Sequence, residues 1–287
     1  MSSHAVADAR AVRRHRWGNA LTYGFLVSLA IVYIFPFVIS IATSFKTEPD
    51  ATANPLTLVP DPFTTAAYHD LSQNSDFFLW VKNSVIVTLS VTILRVFLDS
   101  LAGYSLARLR FRGRAAVFTS VVLVMAVPGV VLLIPKFLII RQFGIYDTYY
   151  GMIIPLLVDA AGVFIMKNFF ESIPISVEES ARIDGASLFR TYWHIVLPMA
   201  RPALITLFIL SFQGSWNELA HFIISAQSAS LNTLTKGVAQ LASGQLGSGN
   251  RYPLKLAASM LMTIPVAIIF FVFQRQIMNA SAGAVKE

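Results

Sequence analysis

Six long apolar runs separated by polar segments dominate the chain. Each run holds about 20 or more mostly apolar residues, the length that a helix needs to cross the ~30 Å hydrocarbon core of a bilayer. Helices are predicted because an open strand would leave backbone polar groups unpaired in lipid, and the runs are too long for barrel strands. The predicted spans are Leu21 to Phe45, Val81 to Leu106, Ala115 to Ile140, Tyr149 to Phe169, Ala203 to Ile224 and Leu254 to Gln274.

One polar segment, from Glu171 to Pro202, has the pattern of a helix, a turn and a second helix. We call it the polar loop. Ser176 with Glu179 three residues later is typical of a capping box, which predicts a helix from about Val177 to Asp184. Gly185 suits the left-handed geometry that closes a helix. The predicted helix is too charged to cross a membrane.

The second half of the polar loop is amphipathic and returns to the membrane between Pro198 and Pro202. Val177, Ala181 and Leu188 form a small apolar side of the loop. Such a side suits docking in a groove of another protein. The residues alone leave open a second interpretation, in which the segment rests on lipid headgroups.

Composition supports the membrane class. The 287 residues are 55% hydrophobic and only 13% charged, with a mean hydropathy of +0.64, whereas soluble domains are about 25% charged. The net charge is +7, but the cations stand in short segments between apolar runs and form no basic and aromatic groove. Binding to nucleic acid is therefore not expected.

The distribution of Lys and Arg predicts the orientation. With the N-terminus placed in the cytoplasm, fourteen of the 22 cations fall inside and seven outside, and Arg95 lies within the second span. We therefore expect both termini in the cytoplasm. Residues 1–20 are expected to be a cytosolic segment, 21–275 the transmembrane domain and 276–287 a cytosolic tail. The first apolar run is too long for a signal peptide and is predicted to be retained.

The loops and the prolines carry weaker predictions. The segment from Lys46 to Leu79 is expected to hold irregular or short helical structure, and the segment from Ala226 to Tyr252, rich in Ser and Gly, to be exposed. Prolines inside the spans either kink them or are simply tolerated. They are Pro36, Pro128, Pro135, Pro155 and Pro265.

Few polar side chains lie at membrane depth. Arg95 and Asp99 are four residues apart on one helix, which predicts a mutual ion pair, with a structural clamp favoured over a substrate contact. The others either line a pathway or join helices. These candidates are Asp159, Gln213, Trp216, Asn217 and Glu218.

Motifs for chemistry on this chain are missing from the sequence. It has no cysteine, no G-x-x-x-x-G-K-[ST], no H-E-x-x-H and no G-x-S-x-G. The five histidines lack metal-ligand spacing, so a metal site is not expected. The chain is therefore predicted not to be an enzyme.

The polar loop resembles the signature loop of permease subunits of ABC importers. That pattern is EAA, Gly four residues on and Ile-x-Leu-Pro, here Glu179-Ser180-Ala181, Gly185 and Ile195-Val196-Leu197-Pro198. Ser180 departs from the usual alanine. The string IDGAS from Ile183 is most similar to the carbohydrate branch, of the maltose-permease type. The strings NSVIV, AGYSLAR, WNE and GAVK extend the resemblance over nearly the whole chain.

The resemblance implies a permease of about six transmembrane helices, an all-α membrane protein of the bacterial cytoplasmic membrane. Such a permease would work by alternating access with two ATP-binding subunits, a second and different permease, and an extracellular solute-binding protein that delivers a sugar. The resemblance also places the fifth span along the translocation path, where Gln213, Trp216 and Asn217 would offer ring stacking and hydrogen bonds to that sugar. ATP and Mg would bind the partner ATPase, with no cofactor here. The implied coupling residues are Val177, Glu178, Glu179, Ser180, Ala181, Arg182, Ile183, Asp184, Gly185, Ala186 and Leu188.

The alternative is a self-contained secondary transporter or channel. Such a protein is expected to show inverted repeats or broken helices, with intramembrane acids for ion coupling. Only Asp159 and Glu218 are candidates for the acids, and a loop shaped for docking has no obvious use there. The ATP-driven permease is therefore favoured.

Overall fold

The computed structural model describes residues 3–73, 76–244 and 251–283, and within these ranges it contains helices and no strands. The α-helices are, in chain order, α1 (Ser3–Ser44), α2 (Glu48–Ala53), α3 (Ala66–Gln73), α4 (Phe77–Arg108), α5 (Arg114–Met125), α6 (Leu133–Gln142), α7 (Tyr149–Ile153), α8 (Ala160–Ser172), α9 (Ile175–Ile183), α10 (Leu188–Thr191), α11 (Leu197–Met199), α12 (Arg201–Trp216), α13 (Ala220–Ser225), α14 (Leu234–Ala242) and α15 (Tyr252–Gly283). The predicted all-α class is confirmed.

The helices belong to two compact units. Among the described residues, 3–73 and 251–261 form the first unit, and 76–244 and 262–283 form the second. In the first unit, α1 begins at Ser3, so the helix continues well before the apolar run that starts at Leu21. From Leu21 onward its apolar side chains are mostly exposed, as expected for a helix surrounded by lipid.

The loop that follows α1 is ordered by a buried lysine. Lys46 is 1% exposed, and its Nζ donates to the Asn54 carbonyl at 2.6 Å and to Thr57 Oγ1 at 2.7 Å. These bonds compensate for removing the ammonium group from water. The short helices α2 and α3 lie in this loop, which confirms the prediction of short helical structure there.

In the second unit, the long helix α4 packs against α8 and α12. One apolar core lies where these three helices meet and includes Tyr104, Met166, Phe170 and Leu207. Gly103 permits the close approach of α4 to α8, because a methyl group added there would lie only 2.7 Å from Met166 Cβ. Helix α4 is therefore the central element of the unit.

Three helices are long and apolar enough to cross a membrane as they stand: Leu21–Ser44, Phe77–Arg108 and Tyr252–Gln276. Three further spans are possible only as bent pairs. The bends are 103° between Arg114–Met125 and Gly129–Gln142, 41° between Tyr149–Leu156 and Ala160–Ser172, and 80° between Leu188–Met199 and Arg201–Trp216. Up to six spans result among the described residues, in agreement with the predicted number.

Three predicted spans are not single helices, and the fourth of the six bends by 41° between Leu156 and Ala160. The third breaks around Pro128, and the fifth ends as a helix at Trp216, before α13 begins at Ala220. Pro155 lies in a 3-10 turn that precedes the bend of the fourth span. Pro36 and Pro265, in contrast, lie inside uninterrupted helices. Proline therefore marks a break at some positions and is tolerated at others.

The prediction that the segment from Ala226 to Tyr252 is exposed is wrong for its first half. Helix α14 buries Leu234, Val238 and Leu241, and Gly237 lies directly against the ring of Trp80. The composition of the segment wrongly indicated exposure, because its few apolar residues lie on one side of a short helix and are surrounded in the sequence by small polar residues. Residues 245–250 of that segment are outside the described residues.

Candidate functional site

Helix α9 forms the first half of the polar loop, close to its predicted bounds but with a different start. The residue before its first turn is Pro174, which offers no side-chain cap, and Ser176 lies inside the helix. The Ser176 carbonyl accepts a bond from Ser180 Oγ at 2.9 Å. The predicted capping box is therefore wrong, because the fixed φ of proline already starts the helix one residue before Ser176.

The end of α9 is as predicted. Gly185 has φ +78°, the left-handed region. Its N–H donates to the Arg182 carbonyl at 3.0 Å, and the Ala186 N–H donates to the Ala181 carbonyl at 2.9 Å. This pair of bonds is a Schellman motif, which satisfies carbonyls that a helix end leaves free. The chain therefore turns sharply at Gly185.

The two sides of α9 differ in exposure. Its outer side carries the exposed residues Glu179, Ser180, Arg182, Ile183 and Asp184, and Ile183 is 87% exposed. Its inner side carries Glu178 and Ala181, which are 1% and 5% exposed. The predicted apolar docking side is therefore wrong for Ala181, which packs inside the chain, while Leu188 is exposed as expected.

The buried Glu178 has partners on helix α4. Its Oε1 lies 2.9 Å from Arg108 Nε, and its Oε2 accepts from the Tyr104 hydroxyl at 3.2 Å. Arg182 on α9 itself lies 3.8 Å from Oε2. Glu178 was predicted to be a coupling residue like its neighbours, but it faces the chain's own interior. We call Tyr104, Arg108 and Glu178 the buried joint.

The second half of the polar loop continues through α10, a π-helical segment (Tyr192–Val196) and α11. Ser187 Oγ caps α10 by accepting from the Arg190 N–H at 3.3 Å. The Tyr192 hydroxyl, in the π-helical segment, lies 2.7 Å from Ser100 Oγ on α4. This contact is a second polar attachment of the loop to α4.

Arg95 and Asp99 are not paired with each other. Among the described residues no ion pair within 4.0 Å involves either one. Arg95 Nε donates to the Leu156 carbonyl at 2.7 Å, and Asp99 Oδ1 accepts from the Asp159 N–H at 3.1 Å. The predicted ion pair is wrong, because the bend of the fourth span presents unpaired backbone groups that both side chains bind.

Asp99 instead binds the backbone at the start of α8. It is fully buried and lies at the N-terminus of α8, where free N–H groups and the helix dipole favour a carboxylate. Asp159 caps the same helix, accepting from the Gly162 N–H at 3.1 Å. Glu218 similarly accepts from the His221 N–H, at 2.9 Å, near the start of α13.

Four of the five predicted pathway residues are accessible. Asp159, Gln213 and Asn217 are exposed and Glu218 is half-buried. Arg95, which was not among the predicted pathway residues, is half-buried beside them, since a methyl group added at Gly214 would lie 3.9 Å from its Nη1. We call Arg95, Asp159, Gln213, Asn217 and Glu218 the polar patch.

Trp216 does not belong to the polar patch. It is 2% exposed, its Nε1 donates to the Met262 carbonyl at 3.1 Å, and its ring stacks on Phe212. Ring stacking on a sugar was therefore a wrong prediction for this residue. The period of a helix explains the outcome, because Gln213 and Asn217 share a side of α12 that Trp216 does not.

Comparison with known proteins agrees with this architecture. Residues 99–280 match the family model of the binding-protein-dependent transport system inner membrane component. The chain is 32% identical to the polygalacturonan/rhamnogalacturonan transport system permease protein YtcP of Bacillus subtilis, covering 95% of this chain and 99% of that one. It is 34% identical to the inner membrane ABC transporter permease protein YcjP of Escherichia coli, covering 92% and 96%.

A solved structure shares the fold. A chain from the crystal structure of a bacterial ABC transporter involved in the import of the acidic polysaccharide alginate superposes with a TM-score of 0.81, covering 92% of this chain and 97% of that one at 24% identity. At this identity the likeness concerns the fold alone.

The chain belongs to the family of binding-protein-dependent transport system inner membrane components. It is a multi-pass permease subunit of an ABC importer in the cytoplasmic membrane and is not itself an enzyme. As a family member it works with a binding protein and with partner subunits.

Proposed function

We propose that this permease imports a sugar or oligosaccharide and that the outer side of α9 seats in a cleft of an ATP-hydrolysing subunit. The observation that carries the docking site is Ile183, a large apolar side chain that is 87% exposed beside the exposed charged residues Arg182 and Asp184. Exposed apolar anchors surrounded by charges are typical of helix-in-groove contacts. Leu188, 51% exposed beyond the turn at Gly185, extends the apolar part of the surface.

The proposed docking surface differs from the sequence prediction in its members. It consists of the residues that the fold leaves accessible, namely Glu179, Ser180, Arg182, Ile183, Asp184, Gly185 and Leu188. Val177 and Ala186 are half-buried at its edge. The inward-facing Glu178 and Ala181 hold the helix in place.

The orientation and the partners belong to the same proposal. The excess of Lys and Arg in the predicted inner segments supports both termini and α9 on the cytoplasmic side. Two ATP-binding subunits would carry ATP and Mg, and a second, different permease would complete the pathway. Relatives named for saccharides support the substrate class: B. subtilis AraQ, the arabinooligosaccharides permease protein, is 32% identical over 93% of this chain.

The polar patch is proposed to line the translocation pathway. A guanidinium, two carboxyl groups and two amides accessible at membrane depth must meet water or a polar partner, since lipid solvates none of them. These groups both donate and accept hydrogen bonds, as sugar hydroxyls require. The patch combines residues from α4, the start of α8 and the end of α12.

The chain has no native cysteine, so a single introduced cysteine is the only thiol on it and can be labelled or cross-linked specifically. Ile183→Cys in the complete transporter is expected to cross-link to an ATP-binding subunit, with a yield that changes when ATP binds. Leu123→Cys, an exposed apolar position on α5 that is 63% exposed, serves as the control and should not cross-link to that subunit. If the complex copurifies but neither Ile183→Cys nor Leu188→Cys cross-links, the docking surface is wrong.

The pathway assignment has a separate test. Thiols react as thiolates, which form readily only in contact with water. Gln213→Cys and Asn217→Cys are therefore expected to react with a water-soluble maleimide, and the loaded binding protein with ATP should change the rate. Leu123→Cys, at an exposed apolar position of α5, again provides the comparison. Equal, slow labelling at all three positions would contradict a water-filled pathway beside α12.

A further inference from the structure

We propose that the buried joint of Tyr104, Arg108 and Glu178 is the mechanical link through which α9 moves α4, so that a displacement of α9 reaches the polar patch. The inference rests on the proposed docking of α9 to an ATPase. It assigns positioning roles to two residues of α4 and one on the inner side of α9, none of which belongs to the proposed docking surface or to the polar patch.

A single guanidinium connects three helices at this joint. Arg108 is the last residue of α4, and its Nε lies 2.9 Å from Glu178 Oε1 of α9. Its Nη2 donates to the carbonyls of Phe170 and Ile173, at the C-terminal end of α8. A cation is favoured there because the last carbonyls of a helix lack partners within it.

Burial makes this connection rigid. The side chains of Arg108 and Glu178 are 9% and 1% exposed, so water cannot replace either partner without opening the packing around Tyr104. Separating a buried pair leaves a charge without compensation, which is far more costly than separating an exposed pair. The nearby pair of Lys167 with Glu171, whose carboxylate side chain is 40% exposed, lacks this property.

A second contact supports the first. The Tyr192 hydroxyl lies 2.7 Å from Ser100 Oγ in a buried position, two turns before Arg108 on α4. Tyr104 stands between these points and contacts the rings of both Phe170 and Tyr192. The polar loop is thus attached to one stretch of α4 at two places, through Glu178 on α9 and through Tyr192 beyond the turn at Gly185.

The other part of α4 reaches the polar patch. Arg95 and Asp99 bind the Leu156 carbonyl and the Asp159 N–H, on either side of the bend in the fourth span. Arg95 is 13 residues before Arg108, or about 20 Å along the helix axis. Helix α4 is therefore attached to the polar loop near its end and to the bend and the patch in its middle.

The proposal predicts that α9 and α4 move as one body during the ATP cycle. Spin labels at Ser176→Cys on α9 and Ile93→Cys on α4, both exposed, should report one distance in the nucleotide-free and the ATP-trapped transporter. Pulsed EPR on the complete complex in nanodiscs measures this distance. With Glu178→Gln added, a second distance should appear in the ATP-trapped state.

Transport supplies a readout that a purely structural role would not change. In proteoliposomes, Glu178→Gln is expected to lower the uptake per ATP hydrolysed by about tenfold while ATP hydrolysis continues. Tyr104→Phe, which keeps the ion pair and removes one hydrogen bond, should have a smaller effect in the same direction. Glu171→Gln is the matched control, because its own carboxylate side chain is 40% exposed, and should leave the ratio unchanged.

Several outcomes would contradict the proposed role of the buried joint. An unchanged uptake ratio and a single distance in Glu178→Gln would do so, as would a distance that already changes with ATP in the parent protein. If Glu178→Gln does not assemble, Tyr104→Phe decides by the same two measurements. If Ile183→Cys forms no cross-link in a complex that is otherwise unchanged, the proposed docking to the ATPase is refuted instead. Failure of the docking proposal can therefore be told apart from failure of the buried-joint proposal.

Discussion

Replacing Gly162 by alanine tests how the buried Asp99 holds the start of α8. A methyl group at this position would lie 2.1 Å from Asp99 Oδ2 and 2.9 Å from Leu207 Cδ1, both closer than real contacts allow. Asp99 is fully buried and accepts from the Asp159 N–H at 3.1 Å. The carboxyl group must therefore move, and that hydrogen bond is lost or lengthened.

Three contributions determine the expected loss of stability. Overpacking a tight site costs about 1 to 3 kcal/mol. Leaving a buried polar group without its partner costs about 1 to 3 kcal/mol more. Alanine gains about 1 kcal/mol over glycine within a helix. Gly162→Ala is therefore expected to lower the free energy of unfolding by about 3 kcal/mol.

Unfolding by SDS in mixed micelles, followed by circular dichroism, measures this quantity in the purified chain. Gly214→Ala is the matched control, because the nearest atom to its added methyl group lies at an ordinary 3.9 Å. That variant should be neutral or slightly stabilised by the gain in helix propensity. If Gly162→Ala is as stable as Gly214→Ala, the tight contact between Gly162 and Asp99 does not exist.

Two other changes have defined outcomes. Trp216→Phe should lower the free energy of unfolding by about 1 kcal/mol, because the hydrogen bond to the Met262 carbonyl is lost. Since Trp216 is buried, the KM for uptake should not change. A tenfold rise in KM would instead place Trp216 at the substrate. At Asp147, hydrogen bonds from the side chain and N–H of Ser228 and from the Gln227 N–H hold the pKa of the carboxyl below its usual value. A lowered native pKa contributes stability above about pH 4, which is lost as the pH falls through that pKa. Asp147→Asn should accordingly melt at a lower temperature than the parent protein at pH 7, and the two melting temperatures should converge below about pH 4. If the difference in melting temperature is the same at every pH, the ionised carboxyl is not its cause.

The sequence by itself determined the class of the protein and the turn at Gly185. Apolar runs of sufficient length have few alternatives to membrane helices, because lipid leaves backbone groups no partner outside the segment. Gly185 closes α9 through bonds to residues within five positions in the chain. Requirements that involve only residues close together in the chain can be predicted from the sequence.

The tertiary structure alone decided where the charges go. Glu178 and Glu179 are adjacent, yet the first is buried against Arg108 and the second is exposed, because packing of α9 on α4 selects which side of the helix turns inward. Arg95 and Asp99 have the spacing of an ion pair, yet a bend about 60 residues later in the chain offers both a backbone partner. The side chain of a charged residue binds whichever partner folding brings near, and spacing along one helix records only the partners within that helix.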